Sequence, residues 1–268
     1  MATNPAAAQL PLFYNDLQPL SSELHADWRV RPQNAAPFLA TQHAIPLTVE
    51  EFPLVQRRMP IVFAIGDDPV PLALMGLNEG VNVFISDEGT LIDPDTYVPA
   101  YIRRYPYLLA KLRPDADELS LCFDPTSEAI GAFDEGEKLF EDGKPSEVTK
   151  AILSFAEQFE QAGQKTAAFM AELKELKLLT DGEVQIQPEG SAQPFVYRGF
   201  QMIDEAKLAE LRGDQLRKMA QSGMLPLIYA HMFSLSQMRD IFAKQVQLGK
   251  APQAQPVPSA IEATPANA

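Results

Sequence analysis

Two histidines and an aspartate are the first residues of this chain that could do chemistry together. His25-Ala26-Asp27 sets an imidazole and a carboxylate two residues apart, and His231 lies far downstream. Two imidazoles and one carboxylate form the face that holds Fe(II) in non-haem oxygenases, with positions left open for oxygen and substrate. A His-x-Asp pair, however, is short enough to arise readily by chance. The fold that carries such a face is usually a β-barrel with the distal histidine on a strand, whereas His231 sits in a helical pattern. Leu227 and Leu235 stand four residues to either side of it, which puts the ring on an apolar helix face. The residues favour hydrogen-bonded core or capping roles for both histidines. Fe(II) held by His25, Asp27 and His231 is the alternative.

A second group is basic and aromatic: Tyr101, Arg103, Arg104 and Tyr105. A guanidinium grips a carboxylate or phosphate through two parallel hydrogen bonds, and aromatic rings stack on it. Neighbouring helix positions point about 100° apart, so in a regular helix the two arginines would not share one ligand. One of them is expected to pair with a core-edge carboxylate, Glu51 or Asp124, and the other to be solvated. If the chain binds a small anion, the ligand set read from the sequence is Arg103, Arg104, Tyr105 and Glu51. Trp28, the single tryptophan, reads as packing, and Tyr229 and Ser234 share the helical pattern of His231.

Other chemistries find little support. Cys122 falls inside an alternating strand, where a thiol is buried and inert. There is no Gly-x-Ser-x-Gly elbow, phosphate-binding Gly-rich loop, His-Glu-x-x-His or cysteine pair. The acidic stretch Asp134 to Asp142 lacks the spacing of a calcium loop and is expected to be a solvated surface loop.

The elements that would position these residues change character along the chain. Ile61–Ile65, Val70–Leu77 and Val81–Ile85 are apolar or alternating runs parted by Gly66-Asp67-Asp68-Pro69 and Asn78-Glu79-Gly80, and they read as an antiparallel meander. Leu119, Leu121 and Phe123 suggest a further strand. Val98 to Lys111 reads as a helix that Pro106 must end or kink. Ser146 is a plausible N-cap for a long helix to Leu178, with Val148, Ile152, Phe155 and Phe159 on one stripe and Gly163 as a weak point. A hairpin around Val184/Ile186 and Phe195/Tyr197 follows, then one or two short helices over 204–220. Ser222 to Gln247 reads as one final buried helix. The expected fold class is α+β, a largely antiparallel sheet from the N-terminal half packed with helices from the C-terminal half.

Composition bounds the rest. Of 268 residues, 46% are hydrophobic and 22% charged, which is ordinary for a globular chain. Thirty-six acidic against 22 basic residues give a net charge of −14. That field repels phosphate backbones and anionic lipid, so nucleic acid is excluded as a partner class. No apolar run reaches the ~18 residues of a membrane helix, so membrane insertion is not expected. The first ten residues lack a basic region and a long apolar core, so no secretory signal is read and the expected compartment is the cytoplasm; export by a dedicated system stays open. Residues 1–10 and 247–268 are Ala/Pro/Gln-rich and read as disordered, flanking one domain over 11–246.

Several stretches, taken in order, resemble the bacterial SapC family. They include Leu17-Gln-Pro-Leu-Ser-Ser-Glu-Leu-His25, Glu51-Phe-Pro53, Pro60-Ile-Val-Phe63, Tyr97-Val-Pro-Ala-Tyr-Ile-Arg-Arg-Tyr-Pro106, and Leu121-Cys-Phe-Asp124. Leu139-Phe-Glu-Asp-Gly143, Gly199-Phe200 with Ile203-Asp204, and Gly223-Met-Leu-Pro-Leu-Ile-Tyr-Ala-His-Met-Phe-Ser-Leu235 complete the set. The family takes its name from a gene of a surface-layer operon, and its members tend to lie near genes for outer-membrane nutrient receptors and oxygenase-like enzymes. The resemblance implies accessory work in uptake or modification and carries no catalytic residues with it.

The reading is thus a non-enzymatic accessory or binding protein of a bacterial cell-surface, uptake or modification pathway. It would need no cofactor and would act through a protein partner or a small anionic ligand. The alternatives are the Fe(II) enzyme described above and a structural protein of the surface layer.

Overall fold

The computed structural model describes residues 10–113, 118–187 and 194–251. Of the two segments expected to be disordered, all but Leu10 and residues 247–251 lies outside the described residues. The first half is built from short strands. β1 (Gln18–Pro19), β2 (Arg29–Val30) and β3 (Ala44–Pro46) lead to a one-turn helix, α1 (Phe52–Val55), and then to β4 (Ile61–Phe63) and β5 (Pro71–Leu74). A second one-turn helix, α2 (Ala100–Arg103), precedes β6 (Tyr107–Ala110) and β7 (Ser120–Phe123). Four two-residue strands follow: β8 (Ile130–Gly131), β9 (Glu137–Lys138), β10 (Phe140–Glu141) and β11 (Lys144–Pro145).

The second half opens with the long helix α3 (Glu147–Glu175), whose N-cap Ser146 accepts a hydrogen bond from the Thr149 amide as expected. It runs through Gly163 unbroken. Strands β12 (Leu179–Asp181), β13 (Val184–Ile186), β14 (Phe195–Tyr197) and β15 (Gln201–Ile203) come next, β13 and β14 forming the expected hairpin. Four helices close the described chain: α4 (Glu205–Ala209), α5 (Gly213–Gln221), α6 (Met224–Ser234) and α7 (Gln237–Gln247). Among the described residues, no helix is long and apolar enough to cross a membrane.

The main sheet has the order β12-β15-β4-β5-β3, and every pairing in it is antiparallel. The α+β class holds, with one refinement: β12 and β15, from the second half of the chain, complete the sheet of the first. A smaller sheet, β1-β7-β6, and a trio, β8-β2-β9, stand around a second apolar cluster of Tyr107, Phe123, Ile130, Leu139 and Phe140.

Four expectations are corrected. The run Val81–Ile85 forms no strand beyond a lone bridge from Ile85 to Leu91. The buried Asn82 side chain captures this backbone instead: Oδ1 accepts from the Phe84 and Ile85 amides, and Nδ2 donates to the Leu39 and Gln42 carbonyls. The span from Val98 to Lys111 is not a helix bent at Pro106. Helix α2 ends at Arg103, and the chain continues from Pro106, which offers no N–H to a helix, into β6. The acidic stretch Asp134–Asp142 is no simple solvated loop, because Leu139 and Phe140 within it are buried in the second cluster. Ser222–Gln247 breaks into α6 and α7, where Ser234 and Ser236 turn their hydroxyls onto the carbonyls of His231 and Phe233 (2.6 and 2.8 Å) and compete with the helical ladder.

Two polar anchors hold this frame. Strands β15 and β4 share a single register pair, Gln201 with Phe63. Beyond it, α6 supplies what a longer ladder would have given. His231, fully buried, donates from Nδ1 to the Ile61 carbonyl (2.8 Å), and its Nε2 accepts from the Ile203 amide (3.1 Å). Ser234 Oγ accepts from the Ile61 amide (2.8 Å). The second anchor is Glu51, 4% exposed, which closes a capping box with Thr48 through Oε2. Its Oε1 accepts from the Ala100 amide at the start of α2 (2.6 Å) and from the Tyr97 hydroxyl (3.1 Å). Glu51 therefore fixes the short helix that carries Arg103.

Burial depresses the His231 pKa from 6.5 to about 4, and burial also lowers those of His25 and His43. The unfolded chain then takes up protons below pH 6.5 that the folded chain refuses, so stability falls as pH falls from 6.5 toward 4. The His231 contribution to that loss is roughly 3 kcal/mol. Urea unfolding across this range should show it. His231→Leu should be less stable at pH 7 yet flatter in its pH profile, and an equally steep profile in the variant would contradict the assignment. Glu51→Ala removes four hydrogen bonds to a buried carboxylate and should cost about 3 kcal/mol by the same assay; a loss within experimental error would refute its anchoring role.

Candidate functional site

The arginines at the end of α2 open onto a cavity of about 510 Å³. One wall comes from α3. Val148, Ala151, Ile152, Phe155 and Ala156 recur at helical spacing along its N-terminal half, so the stripe that reads in sequence as core-facing lines a hollow here. A second wall is the segment from Ile102 through Pro106 to Tyr107 at the start of β6. Val30, Arg31 and Ala129, in and beside β2 and β8, make the third, and Ala36 and Phe38 stand at the rim. Gly89 holds that rim in place. Its φ is +87°, its carbonyl accepts from the Ala36 amide (2.9 Å), and a Cβ there would lie 2.3 Å from the Pro37 nitrogen.

Three arginines line this cavity, Arg31, Arg103 and Arg104, the guanidinium of Arg31 lying 3.5 Å from the Phe133 ring centre. The lining residues include no carboxylate, imidazole or thiol. Although neighbours on a helix diverge, Arg103 and Arg104 both belong to the lining of the cavity. Neither forms an ion pair with a carboxylate among the described residues, so the expected pairing with Glu51 or Asp124 does not form. Glu51 spends its oxygens on Thr48, Ala100 and Tyr97. Asp124 is fully buried and accepts from the amides of Asn15 and Thr126 and from the Thr126 hydroxyl.

The two arginines are held differently. Arg103 donates from Nε to the Val98 carbonyl (3.0 Å) and from Nη2 to the Tyr97 hydroxyl (3.1 Å), so Glu51 reaches it through Tyr97. Arg104 is held by rings. Its guanidinium carbon lies 4.3 Å from the Tyr101 ring centre and 4.4 Å from that of Phe159, with Tyr14 at 5.8 Å. Such stacking is worth about 0.5–2 kcal/mol per ring. It fixes the plane of the fork while leaving donors unspent, and Arg104 Nε is buried without a hydrogen-bond partner. Tyr107, another lining residue and 6% exposed, has a hydroxyl in the same condition. Burial pushes the Tyr107 and Tyr105 hydroxyls above their ordinary pKa, so both stay protonated.

Tyr101 and Phe159 also face a second cavity of about 620 Å³, lined largely by apolar groups such as Leu47, Val70 and Met170, with Gly163 on its α3 side. The rings that flank Arg104 thus belong to the lining of this second cavity.

The histidine and aspartate set is not assembled. His25 accepts from the Ser21 amide at Nδ1 (3.0 Å) and packs its ring against Trp28 and Phe123 in the smaller cluster. His231 stacks on Phe63 in the main core with both ring nitrogens occupied by backbone, and Asp27 is exposed. Among the described residues no group of three or more His, Cys, Asp or Glu side chains is placed to hold a metal ion. Cys122 is buried, and burial raises its thiol pKa.

Of the ligand set read from sequence, Arg103, Arg104 and Tyr105 come together on one cavity, and Glu51 stands behind them. Arg31 and Tyr107 were missed. Tyr107 extends the aromatic run of Tyr101 and Tyr105 and could have been read from it, but Arg31 lies about seventy positions away with no local pattern to flag it.

Comparison with known proteins adds one finding. No curated protein and no solved structure matches the chain. Residues 20–241 match the SapC family model. That span takes in both anchors, Arg103 and Arg104, and the first five residues of α7, and on it the chain belongs to the SapC family.

Proposed function

We propose that this SapC-family protein captures a small organic anion in the arginine-lined cavity and does no chemistry on it. Its work would be that of an accessory in a bacterial surface, uptake or modification pathway, acting in the cytoplasm through a protein partner. The observation that carries the reading is Arg104: a cavity-lining arginine whose guanidinium is flanked by rings and unpaired with any carboxylate among the described residues. Arg31 and Arg103 on the same cavity add like charge, which costs free energy that a bound anion offsets. Arginines and protonated tyrosines supply charge and hydrogen bonds, but no proton acceptor at neutral pH, which supports binding over acid–base catalysis.

Calorimetry with acetate and inorganic phosphate at low ionic strength tests this. Wild-type protein should bind at least one of them, and Arg104→Gln should lose about tenfold or more, equivalent to 1.4 kcal/mol. Arg104→Lys should fall between, since it keeps the charge and loses the planar fork. A folded Arg104→Gln variant that binds as wild type does would end the proposal, as would wild-type protein indifferent to both anions.

A further inference from the structure

The cavity is sharply divided in its chemistry. Charge sits on the α2 side, at Arg103 and Arg104, and across from it at Arg31. The α3 wall has no polar side chain at all: Val148, Ala151, Ile152, Phe155 and Ala156. Ile102 and Val30 continue that apolar surface, and Phe38 stands at the rim. A bare inorganic anion would leave most of this lining against water. Apolar surface that stays half-exposed on a helix stripe gains by being covered, at a rate set by the area removed from water. The volume, about 510 Å³, lies within the range that encloses small organic ligands. The net charge of −14 on the chain also disfavours capture of an anion by charge alone.

Resting on the anion-binding reading, we infer that the ligand is an amphiphilic oxyanion. Its carboxylate or phosphate head lies at the arginines, and an apolar body covers the α3 wall. The wall then sets selectivity among anions, and Val148, half-buried and lining the cavity near the start of α3, is a specificity-determining residue.

The experiment is calorimetry on the full chain with five probes: acetate, inorganic phosphate, octanoate, octyl phosphate and octanol. Octanoate should bind about tenfold or more tighter than acetate, or octyl phosphate than phosphate, and octanol should bind more weakly than the better of the two amphiphiles. Which head group wins separates a carboxylate ligand from a phosphate one. Val148→Thr, nearly isosteric but polar, should weaken the better amphiphile about threefold and leave its head group alone unchanged. If neither octyl compound binds more tightly than its own head group, the amphiphile inference is overturned while anion capture stands. If octanol matches the amphiphiles and Arg104→Gln changes nothing, anion capture fails and takes the inference with it. Amphiphile binding that Val148→Thr leaves untouched is binding elsewhere, and it overturns the inference, as does absence of binding by every probe.

Discussion

Ile61 is the residue on which the two halves of this fold meet. Its amide and carbonyl are taken by Ser234 and His231 of α6, and the other ring nitrogen of that histidine holds the amide of Ile203. Strands β4 and β15 could not complete the main sheet by their own ladder, since they share one register pair. A buried backbone group without a partner costs on the order of 1–3 kcal/mol, and this arrangement spares three of them. It also ties folding to long sequence separations, because β4 and α6 lie some 170 residues apart. A sheet closed in this way must wait for the end of the chain, so folding slower than that of a local α+β meander follows from topology.

Local chemistry was legible wherever it was local in cause. Ser146 announced α3, and the turn residues between β4 and β5 stand where the sequence puts them. The errors share a cause as well. Asn82 looks like one polar position in an alternating strand, and only the carbonyls of Leu39 and Gln42, forty residues earlier, show why it folds the chain around itself. Leu139 and Phe140 are two apolar residues in an acidic run, and their burial depends on a cluster they complete with Tyr107, Phe123 and Ile130. Three of four candidate ligand residues were readable because they are adjacent in the chain. The cavity was not, since α3, α2 and β2 meet only through tertiary packing.

The site also inverts the character of the whole. An acidic chain has gathered three of its 22 basic residues on one hollow and kept carboxylates off its lining. At a distance the net charge repels anions, so long-range steering does not favour their approach to the cavity. Glu51 stands behind the lining: it spends its charge on the start of α2 and on Tyr97, and Arg103 is oriented through Tyr97 rather than neutralised.

The rings around Arg104 have two sides. Tyr101 and Phe159 flank the guanidinium of an arginine that lines the basic cavity, and they themselves line the apolar one. Whatever displaces those rings in the apolar hollow alters their contact with Arg104, and linkage makes such an effect mutual: a guest that eases or hinders a second guest is eased or hindered by it to the same degree. Arg104, on the lining of the basic cavity, thus rests against two rings that line the apolar one.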